Sequence, residues 1–124
     1  VVEHKTTHEP LFTDDMPHVV VLVDKATASA AEILAAALKE YGVATVVGTH
    51  TFGKGSVQEL VNITDDLSLK VTVARWYTPH DLSISDGGLA PNVAINTNAT
   101  SSDPWVDAAI EFITTGTTTT ASVR

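Results

Sequence analysis

The sequence predicts an α/β fold: a strand–helix–strand unit, then a β-hairpin, then a C-terminal helix. Three observations predict it. Two apolar runs, within His18–Asp24 and Val43–Gly48, flank a segment whose apolar residues recur at helical spacing. From Leu67 to Val73 the pattern becomes strict alternation. Asp103-Pro104 then opens a second stretch with helical spacing.

Residues 1–17 are polar and mixed, with Pro10 and Pro17 as breakers, and read as an irregular arm. "HVVVLVD" suits a strand buried on both faces, as in parallel sheets. In "SAAEILAAALKEYG", Ala30, Ile33, Leu34, Ala37, Leu38 and Tyr41 form one apolar stripe on a helix, with Glu32, Lys39 and Glu40 off it. Gly42 is a natural stop, and "VATVVG" is the second strand. Strand, helix and strand joined by short loops make a βαβ unit with parallel strands. Sites in such sheets gather where strands end and helices begin. The loops at Thr27–Ser29 and His50–Gly55 therefore share one sheet edge. "SVQELVNI" and "LSLKVTVARWY" predict a hairpin around Thr64-Asp65-Asp66 with one buried face. A short strand is expected at Val93–Ile95. The last helix takes Asp103 as N-cap and Pro104 as N1, with Val106, Ala109, Ile110 and Ile113 as its stripe. The main unit thus spans 18–114, and 115–124 is a Thr-rich tail expected to be loose.

The chain has 124 residues, 44% of them hydrophobic, which fits one small domain with a core. A net charge of −8 argues against nucleic acid and leaves no basic patch for anionic lipid. With no cysteine, disulfides and thiolate metal sites are excluded. No apolar run is long enough to cross a membrane. The chain opens on Val1 rather than Met, as expected of a processed chain or a cut piece.

"GTHTFGKGS", Gly48–Ser56, nearly spells a phosphate-binding loop, but Gly55 stands where Ser or Thr would coordinate magnesium. "SVQELV" also has no helical stripe to supply phosphate-binding amides. Nucleotide binding is rejected on both counts. Lys54 can instead be a solvated residue in a glycine-rich turn, or the base for a hydroxyl on the same edge. Ser29 is that hydroxyl. Spacing alone favours a cap for it, because Ser29-Ala30-Ala31-Glu32 fits the S-x-x-E capping box. The same position sets it beside unpaired helix amides able to hold an oxyanion. A serine nucleophile needs a base, and a lysine serves if it is neutral. Gly53 and Gly55 would let the backbone fold tightly around Lys54. Gln58 lies about 13 Å from Lys54 in a straight strand, at ~3.3 Å per residue. It would reach the amine only if the glycine segment curls.

"VVLVDKATASAAEILAAALKEYGVATVVGTHTFGKGSVQ", with "LKVTVARWYTPHDLSI" and "GLAPNV" after it, resembles the carboxyl-terminal processing (tail-specific) proteases over residues 18–96. These are serine endopeptidases with a Ser–Lys pair on a crotonase-like fold. The resemblance implies Ser29 as nucleophile, Lys54 as general base, Gln58 as a third member present in some relatives, and the Ala30 amide as an oxyanion donor. It implies cleavage of proteins near their carboxyl termini, with apolar C-terminal residues recognised. It implies no cofactor, and a parent that is exported or membrane-tethered. A membrane would be reached only through a segment upstream of Val1, and a homo-oligomer stays open as a partner. Thr27 and Ala31 replace serines common in the family, and Asp81-Leu82 replaces a usual Gly-Arg. The PDZ domain and the earlier protease segment, which carries a second oxyanion amide, are absent from these residues. The alternatives are a catalytically incomplete scaffold or peptide-binding module, and another crotonase-like enzyme acting on acyl-CoA. His4 and His8 lack the further ligands zinc requires. His50 as the base of a Ser–His arrangement is a minor alternative, and Trp105 and Phe112 read as core anchors.

Overall fold

The computed structural model describes residues 18–85, 87–96 and 102–117. The predicted arm 1–17, with His4 and His8, and the tail from 118 onward lie outside them. Strand β1 (Val19–Val23), helix α1 (Ala30–Glu40) and strand β2 (Ala44–Gly48) form the expected unit, with β1 and β2 parallel in the register Val19↔Ala44 to Val23↔Gly48. Strands β3 (Ser56–Thr64) and β4 (Leu67–Arg75) make a separate antiparallel ribbon. Strand β5 (Val93–Ala94) joins β2 in parallel, so the sheet order is β1-β2-β5. Helix α2 (Pro104–Thr115) starts as predicted, the Asp103 carboxylate accepting from the Trp105 and Val106 amides.

The core forms on the central strand. Val46 and Val47 are fully buried, each worth about 1.5–3 kcal/mol of removed apolar surface. Val23 and Ala35 complete the cluster with Val46, and Val21 and Leu89 pack at its border. β1 is not buried on both faces as expected. It is an edge strand in these residues, and Leu22 stays 40% exposed.

Both helices are rotated away from the face their apolar spacing predicts, though Ala109 of the predicted α2 stripe is buried and Ile33, Ala37 and Leu38 of the α1 stripe are half-buried. On α1 the buried residues are Glu32, Ala35 and Ala36, while Leu34 and Tyr41 of the predicted stripe are 61% and 72% exposed. Small Ala35 and Ala36 let the helix approach the sheet, and Glu32 is held inward by hydrogen bonds. On α2 Ala109 is buried and Trp105, Ala108 and Phe112 half-buried, while Val106, Ile110 and Ile113 face outward. The anchor is Trp105, whose Nε1 donates to the Val23 carbonyl at 3.0 Å.

The hairpin forms with a two-residue Asp65-Asp66 turn, but the face expected to be buried is open. Val61 lies opposite Leu69, and Leu67, Val71 and Val73 continue that side. All five are exposed, because no other element packs closely on the ribbon among the described residues. The other side carries Gln58–Thr72 and Asn62–Ser68 pairs linked by side-chain hydrogen bonds. The first side is mostly apolar, with Glu59 opposite Val71, and the second mostly polar, with Leu60 opposite Lys70. At its base the Trp76 amide donates to the Gly55 carbonyl at 2.7 Å.

Candidate active site

The loops after β1 and β2 lie at one end of the sheet, as parallel strands require, and the Phe52 amide donates to the Thr27 carbonyl at 2.9 Å to join them. The first loop is shaped by Asp24. Its Oδ1 accepts from the Ala26 and Thr27 amides, each at 2.9 Å, and from the Thr27 hydroxyl at 3.1 Å. The Ala26 amide, followed by the Thr27 hydroxyl, lowers the Asp24 pKa, since hydrogen bonds favour the ionised form.

The turn that follows puts Ser29 at φ +57°, ψ −120°, the mirror image of the first central position of a type II turn. The Ala31 amide closes the turn on the Ala28 carbonyl at 3.3 Å. Glycine is favoured there, and a side chain costs on the order of 1–3 kcal/mol. This geometry also settles how far the capping box goes. The Glu32 half is tight, Oε2 accepting from the Ser29 amide at 2.8 Å. The Ser29 Oγ lies on the side of the Glu32 amide without forming a cap hydrogen bond. The amide of Ala30, the first helical residue, has no hydrogen-bond partner among the described residues.

The second loop turns on Lys54. The Gly55 amide donates to the Gly53 carbonyl at 3.1 Å, a three-residue turn with Lys54 at its apex. Gly53 has φ +86°, and a side chain there would approach the Gly88 amide nitrogen to 3.0 Å. A Cβ on Gly55 would come within 2.5 Å of the Ser85 Oγ. The segment 76–92 therefore presses directly on the lysine turn. That segment is tied to α1 at both ends: Glu40 Oε2 accepts from the His80 amide at 2.8 Å, and Lys39 Nζ donates to the Ala90 carbonyl at 2.7 Å. Within it Asp81 has φ +60°, a glycine-favouring conformation.

Glu32 joins the two loops, and the sequence reading missed this by treating it only as a capping residue. Its side chain is fully buried. Oε1 accepts from the Thr51 hydroxyl at 2.5 Å and the Gly53 amide at 2.7 Å, and Oε2 from the Ser29 amide at 2.8 Å and the Lys54 amide at 2.9 Å. The Ser29 and Lys54 backbones are thus bridged by a single oxygen atom. Burial pushes the Glu32 carboxyl up, but the Thr51 hydroxyl and the Gly53, Ser29 and Lys54 amides outweigh it and hold it below the usual glutamate value. The S-x-x-E spacing was the one available signal, and it pointed to capping.

The remaining site residues are more open. Ser29 is half-buried and Lys54 exposed. Gln58 is exposed on β3, its Nε2 donating to Thr72 Oγ1 at 3.4 Å and not reaching Lys54. His50 is exposed. Among the described residues no group of three or more His, Cys, Asp or Glu could hold a metal ion, and no helix is long and apolar enough to cross a membrane.

A sequence profile of peptidase family S41 matches residues 2–95. The chain is 41% identical to a carboxy-terminal-processing protease of Bartonella bacilliformis, over 68% of this chain and 19% of that protein. It is 44% identical to a chloroplastic carboxyl-terminal-processing peptidase 3 of Arabidopsis thaliana, over 76% of this chain and 17% of that protein. Among solved structures, a photosystem II D1 C-terminal processing protease superposes with a TM-score of 0.59 at 41% identity, covering 69% of this chain and 22% of that one. The chain spans about a fifth of the length of these relatives.

Proposed function

We propose that this chain, which belongs to peptidase family S41, carries the nucleophile and base of a serine endopeptidase that cuts proteins near their carboxyl termini. The observation that carries this reading is the pairing of Ser29 and Lys54. A serine sits on a strained strand-to-helix turn, and its amide shares one carboxylate oxygen with the amide of a lysine at the apex of a tight turn. In the reaction, Ser29 Oγ attacks the scissile carbonyl and Lys54 Nζ takes its proton. The Ala30 amide donates to the developing oxyanion. Collapse to the acyl-enzyme expels the amine, which receives the proton from Lys54, and water then releases the acyl group with Lys54 again as base. Gln58 would orient the Lys54 amine only after β3 moves toward it. Desolvation of Lys54, which favours the neutral amine, is assigned to the bound substrate or to further polypeptide.

The substrates in this reading are protein chains with apolar C-terminal residues, and the compartment is outside the cytoplasm; the resemblance to the tail-specific proteases suggests both. S29A and K54A are each expected to lower peptide turnover in the intact protein by roughly a thousandfold or more without loss of fold. Unchanged cleavage by either variant would end the mechanism. A second reading, a peptide-binding scaffold without turnover, is favoured by the exposure of Lys54 and the distance of Gln58 from it. A serine-directed acylating probe separates the two: labelling of Ser29 supports the peptidase, and no labelling of the intact protein supports the scaffold.

A further inference from the structure

We infer that Glu32 is the positioning residue of this site, a carboxylate strut that fixes the Ser29 turn to the Lys54 turn. The inference rests on the reading of Ser29 and Lys54 as the reacting pair. An ionised carboxylate has about four acceptor positions, and Glu32 receives four donors: the Thr51 hydroxyl and the Gly53, Ser29 and Lys54 amides. Thr51 Oγ1 also accepts from the Leu89 amide at 2.7 Å, which leaves its own hydrogen to be given to Glu32. A proton on Glu32 would therefore displace one of its donors.

A helix cap needs only the bond to Ser29, three residues away. The other three cross 19 to 22 residues of sequence to the second loop, which capping does not require. Residue choice follows from the same geometry. Glutamine would set an NH2 donor against two existing donors on one side. Aspartate is a methylene too short to meet both loops. Alanine would leave three part-buried amides and a buried hydroxyl without their acceptor, each a cost of desolvation. The strut does not touch the reacting atoms. It acts through the placement of Ser29 and Lys54, where an error of about 1 Å can cost roughly a hundredfold in rate.

Two measurements test it. In 15N–1H spectra of the 124-residue chain, the Ser29, Gly53 and Lys54 amides should titrate together with one acid midpoint, and E32Q should abolish that shared step. Separate midpoints, or a step that survives in E32Q, overturn the strut. In the protein as naturally produced, E32Q should lower kcat by roughly a hundredfold while KM stays within about threefold, the signature of lost transition-state placement. A folded E32Q with unchanged kcat overturns it. If E32Q does not fold, T51V removes one of the four donors and is expected to lower kcat by about tenfold, and an unchanged kcat there has the same force. Retained turnover in S29A or K54A defeats the peptidase reading instead, and the shared titration then judges the strut by itself.

Discussion

Ser29 occupies backbone that suits glycine, and the strain is local to that residue. Alanine at this position removes the hydroxyl and keeps the strain, whereas glycine removes both. S29G is therefore expected to be about 1–2 kcal/mol more stable than S29A in urea denaturation, with neither variant turning over substrate. Equal stabilities would mean that the turn relaxes when the side chain changes. At this scale the sequence was informative where a residue type is tied to one chemistry. The glycines flanking Lys54 were legible, and their tightness against Ser85 and Gly88 accounts for them. Glu32 was legible only as half of a cap, because its other partners lie on a loop some twenty residues away, and no local pattern encodes that reach. Asp81 has a positive φ that no local pattern in the sequence announces.

The elements themselves were read correctly in kind and order, and their inward faces only in part, Ala109 of the predicted α2 stripe being buried. Periodicity reports that a helix has an apolar side, not which side meets the sheet. On α1 hydrogen bonds to Glu32 and the small size of Ala35 and Ala36 decide the rotation, so Leu34 and Tyr41 point away. This separates two substitutions. In the 124-residue chain, Leu34→Ser should change unfolding free energy by less than about 0.5 kcal/mol, as exposed sites do. Ala35→Leu, pressed into the cluster with Val23 and Val46, should cost about 1–3 kcal/mol. The reverse ranking in chemical denaturation would restore the face that the spacing predicts. The hairpin followed its alternation faithfully, yet a two-stranded ribbon is only marginally stable alone. Its apolar side is open here, beside a chain that spans about a fifth of its relatives.

For the molecule as a whole, acid is the condition most directly tied to the architecture. Two carboxyls bind separate parts together, Glu32 between the site loops and Glu40 between α1 and the segment carrying Thr78 and His80. Burial raises the Glu40 pKa, but the Thr78 hydroxyl and then the His80 amide outweigh it, and the net direction is downward, as for Glu32. A depressed folded pKa means the unfolded chain binds protons first. The stability from both groups is complete above the unfolded value, about 4.3 for glutamate, and is lost as pH falls through the lower folded values. The urea midpoint should therefore be insensitive to these groups from neutrality down to about pH 5 and fall below about pH 4. E32Q should flatten part of that fall. An acid limb identical in wild type and E32Q would remove Glu32 from the account.

The single oxygen shared by the Ser29 and Lys54 amides has a mechanical consequence. A displacement of either loop strains the hydrogen bond that the other makes to the same atom. A push at Thr51 reaches Ser29 through one carboxylate, without bending α1.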